Sequence, residues 1–300
     1  MALPPPSKEV IRFVREEYGL NDQRIKEAVS ILQNWLKLQP HLPDKYDEAI
    51  LERWIIRCKN SLEKVKKSLE TYFILKTKMP DLLNGWSTKE QWFRSAYDNL
   101  IFFPLPELTP KRQRVIIWAI RNPDPELYLF KELIMIVFMI IHIRMREEYC
   151  SSDIYVLDMK NFSLPHGTKV NFAILKQAQL CIFNSFQVRL SSINVINMPP
   201  YAEFLVGWIK ILLSDKMMSR VKFYDKDYSE MYDIIPKHIL PKEYGGSAGT
   251  IAELSGTKGR LYSTNDYTRN SIPDFIADRY SFFYNCKLLL INEVYRATVS

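Results

Sequence analysis

The sequence predicts an α/β protein in which an N-terminal helical bundle precedes a mainly parallel sheet with crossover helices. Two observations predict this class. Up to about residue 84 the apolar residues recur at intervals of three and four, the period of amphipathic helices, without a β-type run among them. From residue 115 onward, short β-type runs alternate with helical patterns, an order that is typical of parallel sheets.

The elements of the second part follow one another closely. The β-type runs cover residues 115–120, 154–158, 188–196 and 220–224. Helical patterns at 127–148 and 168–184 supply crossovers between them. The segment 102–112 reads FFPLPELTPKR, and because proline lacks the backbone N–H that sheets and helices use, we interpret it as the connection between the two parts.

The composition indicates an intracellular globular protein. The 300 residues carry a net charge of +7 with a pI near 9.0, and four scattered cysteines favour reduced thiols. The N-terminal MALPPPSKE lacks the regions of a secretory signal, and the longest apolar run, residues 133–141, is too short to span a bilayer. We therefore expect a cytoplasmic monomer that associates with membranes peripherally and reversibly.

The sequence carries no recognisable signal for catalysis. Its four histidines lack metal-ligand spacing, and neither a Gly-x-Ser-x-Gly nor a Gly-x-Gly-x-x-Gly motif is present. Nucleic-acid-binding motifs are missing as well. We expect no catalytic residue, metal, cofactor or nucleic-acid partner, and hence a binding protein that is not an enzyme.

Two helical segments are apolar on nearly every side. Residues 133–143 read LIMIVFMIIHI, and residues 201–213 include only Glu203 and Lys210 as charged residues. A helix of this kind is either buried or faces something other than water. Two interpretations follow: both are packing helices, or they enclose a large apolar cavity for a hydrophobic ligand.

Several motifs occur in a fixed order along the chain. They are WLKLQPHLP (35–43), the helical segment 57–83, YVLDMKNFSLPH (155–166), an Ile-Asn-x-Pro turn before an apolar helix that ends in Leu-Ser-Asp-Lys, and LPKEYGG (240–246). This order resembles the CRAL-TRIO lipid-transfer family. The resemblance implies an N-terminal helical subdomain (1–95), a lipid-binding domain with a mobile apolar lid helix (96–256) and a divergent C-terminal tail (257–300).

The resemblance also implies a pocket between the two apolar helices, the sheet and the helix near 170–184. The candidate ligand-binding residues on these elements are Phe138, Ile141, His142, Tyr155, Leu157, Phe162, Phe172, Ile182, Ile193, Phe204, Leu205 and Trp208. His142 stands out among them as a titratable group. It is either a polar anchor for a ligand hydroxyl or carbonyl, or a core histidine bonded to a backbone carbonyl.

Basic residues flank the predicted lid. Lys216 and Arg220 are four apart and therefore share a helical face, and with Arg189 they match the basic cluster that the resemblance implies for anionic lipid. Ser191 stands where a further basic residue is expected. We expect a general attraction to an anionic membrane surface of about 1 kcal/mol per basic residue, while specific recognition of phosphoinositide stays open.

These features favour a carrier that binds one hydrophobic small molecule, of retinoid, tocopherol or carotenoid-like kind, and transfers it between membranes. The alternative is a phospholipid or phosphoinositide exchange or presentation protein. A third reading is an adaptor that docks on membranes or proteins without transport.

The lid hypothesis predicts a separation of folding from transfer. The substitution Trp208→Asp is expected to impair ligand transfer between vesicles far more than it lowers the melting temperature, because this side chain is predicted to face ligand or membrane. Trp208→Phe serves as the control, since it keeps the position apolar. Equal losses of transfer and of stability in the Asp variant would show that Trp208 is an ordinary core residue.

Overall fold

A computed structural model describes residues 4–87, 89–199, 207, 213–225 and 227–255 of the chain. Most of the predicted lid, including Phe204, Leu205 and Trp208, and the C-terminal tail 257–300 lie outside the described residues.

The N-terminal part of the chain is helical. Its helices are α1 (Lys8–Glu16), α2 (Asp22–Lys37), α3 (Glu48–Arg57), α4 (Leu62–Lys78), α5 (Pro80–Leu83) and α6 (Gln91–Asn99). Polar side chains start the first three, because Ser7, Asn21 and Asp47 each accept a backbone N–H from the first helical turn. The predicted helical bundle is confirmed.

A mainly parallel sheet follows, as the sequence predicts. Its strands are β1 (Leu100–Leu108), β2 (Arg114–Ile120), β3 (Asp153–Asp158), β4 (Leu190–Ile196) and β5 (Val221–Phe223). Among the described residues they form one five-stranded sheet in the order β1-β2-β3-β4-β5. The pair β1–β2 is antiparallel, and the other neighbours are parallel.

The proline-rich segment 102–112 is not the connection that we expected, because most of it belongs to β1. Among the described strands, β1 pairs with β2 alone and lies at the edge of the sheet. An edge strand tolerates proline, since an N–H that points away from the sheet has no ladder partner to lose. Pro104 and Pro106 therefore fit β1, and they also discourage pairing of this edge with another chain.

Helix α7 (Phe130–Glu147) lies between the helical bundle and the sheet. One side, with Phe138, Ile141 and Met145, packs in the core of the bundle. The other side, with Ile136 and Met139, packs against the sheet. Two-sided packing thus explains why this helix is apolar all round, without any contribution from a ligand.

The remaining helices lie around the sheet. They are α8 (Leu164–Thr168), α9 (Phe172–Gln179), which continues into a π-helical turn (Leu180–Ser185), α10 (Asp215–Met218), α11 (Ser229–Ile234), a 3-10 turn (Lys242–Tyr244) and α12 (Ile251–Leu254). Met231, Tyr244 and Leu254 from the last three elements pack on Ile154 and Val156 of β3. These elements close one face of the sheet, which we call the outer face.

The LPKEYGG motif has the architectural role that the residues indicate. Gly245 has φ +73°, a left-handed conformation that favours glycine, and a Cβ at Gly246 would overlap the carbonyl oxygen of Leu240. The Glu243 carboxylate accepts the backbone N–H of Ile251 at 2.9 Å. The hydroxyl of Tyr244 donates to Asp158 at 2.9 Å, at the end of β3.

One buried carboxylate connects the sheet, α7 and the bundle. Glu148 accepts hydrogen bonds from the guanidinium groups of Arg114 on β2 and Arg144 on α7. Arg144 also binds the carboxylate of Asp153 on β3, at 2.6 and 3.0 Å. Arg53 of α3 donates to the backbone carbonyl of Glu148 at 2.7 Å. Burial alone would raise the pKa of Glu148, but Arg144 and Arg114 outweigh it and hold the pKa below its ordinary value.

Removing this charge is expected to destabilise the fold strongly. Glu148→Gln leaves two buried guanidinium groups without their shared carboxylate, and we expect a loss of about 3–5 kcal/mol in the free energy of unfolding, measured by urea denaturation. Glu9→Gln is the matched control, because Glu9 forms a surface ion pair with Arg112 at 2.6 Å and should cost less than about 1 kcal/mol. Similar losses in both variants would contradict a special role for Glu148.

Candidate functional site

The sheet has a second face, which we call the inner face, and its side chains form two rows across the parallel strands. Strand register places Ile116, Tyr155, Ile193 and Val221 side by side in the first row. The second row contains Trp118, Leu157, Val195 and Phe223. Because side chains alternate along a strand, residues two apart share this face. The hydroxyl of Tyr155 and the indole N–H of Trp118 are the polar groups on these otherwise apolar rows.

The two faces of the sheet differ in burial at the same strands. Ile154 and Val156 on the outer face are fully buried. On the inner face, Ile116 and Val195 are buried as well, whereas Tyr155, Leu157 and Ile193 are only half-buried. Central strands of a parallel sheet are normally covered on both faces. The centre of the inner face therefore keeps accessible apolar surface.

This accessible surface lies beside two helices. Burial raises the pKa of the Tyr155 phenol, with a further contribution from the nearby Asp153 carboxylate. We infer a hollow between the inner face and these helices from the half-buried apolar residues on both sides. Half-buried side chains of Ile140 on α7 and Leu175 on α9 pack around the same cluster.

The structure divides the predicted ligand residues into groups. Tyr155, Leu157 and Ile193 lie together on the inner face, and Phe162 is buried at the end of β3, with its ring 6.4 Å from that of Trp118. Phe172 is exposed at the start of α9. The predicted residues that pack in the core of the bundle, away from these rows, are Phe138, Ile141 and Ile182. Their contact with a ligand stays a prediction.

His142 also lies on the bundle side of α7. Its ring is 6.3 Å from Tyr72 of α4, 6.0 Å from Trp86 and 6.3 Å from Phe186. Burial lowers the pKa of His142 to about 4, with a smaller contribution from Lys76, so the imidazole is neutral at physiological pH. An aromatic environment at the bundle favours the core interpretation over the ligand anchor.

Sequence reasoning missed Trp118, Val195 and Val221 as inner-face residues. Strand β2 reads RVIIWAI, in which both faces are apolar, so no alternation of polar and apolar residues marks the side of Trp118. The register with β3 assigns it, since Trp118 lies beside Leu157.

The π-helical turn joins the sheet domain to the bundle. The indole N–H of Trp54 on α3 donates to the carbonyl of Ser185 at 2.8 Å, and Arg57 donates to the carbonyl of Phe186 at 3.1 Å. A π turn leaves carbonyl groups outside the regular α-helical bonding pattern. Two side chains of the bundle satisfy them here.

The three predicted anionic-lipid residues differ in their surroundings. Lys216 is exposed on α10. Arg220 donates to the backbone carbonyl of Leu190 at the start of β4. Arg189 lies 3.4 Å from the carboxylate of Glu17 and stacks over the ring of Tyr18 at 4.9 Å. Glu17 already compensates much of the charge of Arg189, so Lys216 is better placed to meet an anionic surface.

A separate cavity of about 650 Å³ lies at the free edge of β1, next to residues 4–7. Val10, Phe102 and Ile143 line its apolar part, and Arg114 and Glu148 reach its wall. None of the predicted ligand residues that the structure describes lines this cavity. The predicted pocket therefore stays a prediction.

The described residues form an α/β protein in which one face of a mainly parallel sheet keeps accessible apolar surface. Residues 98–246 match the CRAL/TRIO domain, and residues 21–87 match the Pinta-like, UBA domain. The chain therefore contains a CRAL/TRIO domain, the domain of a family that binds and transfers lipids.

Several known proteins match most of the chain. The chain is similar to the human "Alpha-tocopherol transfer protein-like", with 23% identity over 280 residues that cover 89% of this chain and 81% of the relative. It is 22% identical to "Clavesin-1" of Rattus norvegicus over 274 residues, covering 88% and 77%. A solved structure described as "Crystal structure of Sfh5" matches with a TM-score of 0.41 and 14% identity, covering 90% of this chain and 99% of that one.

The unusual pKa of His142 predicts a pH dependence of stability. The unfolded chain binds a proton near pH 6.5 whereas the folded protein does so near pH 4, so the contribution of neutral His142 is present above pH 6.5 and is lost as the pH falls toward 4. Between pH 7 and 4 we expect wild type to lose at most about 3 kcal/mol more than His142→Phe. Urea denaturation at several pH values measures the difference. His41→Gln, at an exposed position, should follow wild type, and parallel curves for wild type and His142→Phe would contradict the analysis.

Proposed function

We propose that this chain is a carrier that encloses one hydrophobic small molecule, of retinoid, tocopherol or carotenoid-like kind, against the inner face and transfers it between membranes. The observation that carries the proposal is the half-buried apolar surface at the centre of the sheet, where a packed core would leave none. A hollow lined by apolar side chains is the kind of site that binds a hydrophobic ligand.

The names of the relatives support the same class of activity. One group is named for similarity to a tocopherol transfer protein, and transfer is a non-catalytic activity. The described rows of the inner face offer hydrophobic contact with only two polar groups, which suits binding better than bond cleavage or formation. We infer a carrier and not an enzyme.

We further propose that the carrier works from the cytoplasm as a monomer and meets membranes through electrostatic attraction. The exposed Lys216 and the neighbouring Arg220 support attraction to an anionic surface. The pairing of Arg189 with Glu17 argues against a dedicated phosphoinositide site. Among the described residues, no helix combines the length and apolarity that crossing a bilayer requires.

The first experiment is mass spectrometry of an organic extract from protein purified out of a lipid-rich eukaryotic host. We expect a stoichiometric isoprenoid-type molecule. Recovery of phospholipid alone would instead favour an exchange protein. An empty extract, together with no rise in melting temperature on adding retinoid, tocopherol or phospholipid, would contradict the carrier, because a ligand that binds the folded state must stabilise it.

A cavity-filling variant tests where the ligand lies. Leu157→Trp is expected to abolish the ligand-induced rise in melting temperature while leaving the stability of the ligand-free protein nearly unchanged, because the new ring enters a hollow. In a filled core the same substitution would cost about 1–3 kcal/mol. Leu164→Trp, at an exposed position of α8, is the control and should keep the ligand response. Strong destabilisation by Leu157→Trp would show that the inner face is ordinary packed core.

A further inference from the structure

Tyr155 occupies the middle of the inner face. It lies on β3, the central strand of the described sheet, between Ile116 of β2 and Ile193 of β4. All its row neighbours are aliphatic, so its phenol is the one polar group of that row. The buried carboxylate of Asp153 lies two residues earlier on the same strand.

The hydroxyl of Tyr155 differs from those of three other deep tyrosines. The hydroxyl of Tyr224 donates to Asn194 at 3.1 Å, that of Tyr244 to Asp158 at 2.9 Å and that of Tyr149 to Glu52 at 2.6 Å. Within the part of the chain that the structure describes, the hydroxyl of Tyr155 has no such acceptor. Tyrosine hydroxyls inside proteins normally have a hydrogen-bond partner, because an unpaired polar group deep in a protein is unfavourable.

We propose that the Tyr155 hydroxyl is the polar anchor of the bound ligand and donates a hydrogen bond to an oxygen of that ligand. The inference rests on the proposed function, since it requires that a ligand occupies the hollow. It also narrows the ligand to a hydrophobic molecule with a neutral hydroxyl or carbonyl group, as opposed to a pure hydrocarbon.

The charge of the surroundings supports a neutral head group. The side chains in the two rows of the inner face carry no charge. The nearby cation Arg144 is already paired with the carboxylates of Glu148 and Asp153. An ionised head group in this place would lose its hydration without gaining a counter-ion. The phenol remains protonated at physiological pH because burial raises its pKa, so it is available as a donor.

The test compares two probes that differ by one oxygen. All-trans-retinol and its deoxy analogue, in which hydrogen replaces the hydroxyl, are titrated against wild type and Tyr155→Phe by fluorescence. We expect Tyr155→Phe to weaken the binding of retinol about tenfold and to change the binding of the deoxy analogue less than twofold. Equal effects on both probes, or no effect on either, would overturn the anchor while leaving the carrier intact. If neither probe bound to wild type, the retinoid form of the proposed function and the anchor would both fail.

The stability of the ligand-free protein provides an independent readout. Tyr155→Phe removes a hydroxyl that bonds to no described residue, so we expect an unchanged melting temperature. Tyr224→Phe is the matched control on the opposite face, and it should lower the melting temperature because Asn194 loses its donor. A comparable drop in Tyr155→Phe would mean that its hydroxyl already has a partner within the protein, and this outcome would overturn the proposal.

Discussion

The carboxylate of Glu148 is the interaction on which the rest of the structure depends. It accepts hydrogen bonds from Arg114 of β2 and Arg144 of α7, and Arg144 also donates to the carboxylate of Asp153. The backbone carbonyl of Glu148 accepts a hydrogen bond from Arg53 of the bundle. One position thereby fixes the amino ends of β2 and β3, the end of α7 and the docking of α3. Charges buried this deeply are stable only as a complete set, so the arrangement specifies a single geometry more than it adds stability.

That geometry determines what covers the sheet. Helix α7 has its two sides occupied, one by the bundle and one by the sheet. It packs around the rows near Tyr155 and Ile193 together with α9, yet these side chains stay half-buried. This incompletely covered apolar surface is the physical basis for the proposed binding of a hydrophobic molecule.

The sequence predicts the class of fold well and the site only in part. The apolar runs of β2 to β4 and the pattern of α7 are recognisable in the sequence. Strand β1 was missed because its prolines suggest a loop, and prolines fit a strand only at the edge of a sheet. The site is harder for a different reason. Phe138 and Ile141 were placed at the ligand because α7 is apolar all round, and periodicity cannot tell which side meets the bundle. Tyr155, Leu157 and Ile193 were candidates because the family resemblance implies a pocket against the sheet, and only the strand register reveals that Trp118 lies on the same face.

The bonds from Trp54 and Arg57 to the π-helical turn have a consequence for how the protein can be divided. The helices before residue 95 are part of the wall that keeps α9 and the following turn in place, and they also cover the Phe138 side of α7. A fragment that begins near residue 96 would lack these helices. The carbonyl groups of Ser185 and Phe186 would lose their side-chain donors, and the apolar bundle side of α7 would be exposed to water. We expect such a product to aggregate, so the proposed lipid-binding face depends on the helices of the bundle as well as on the sheet.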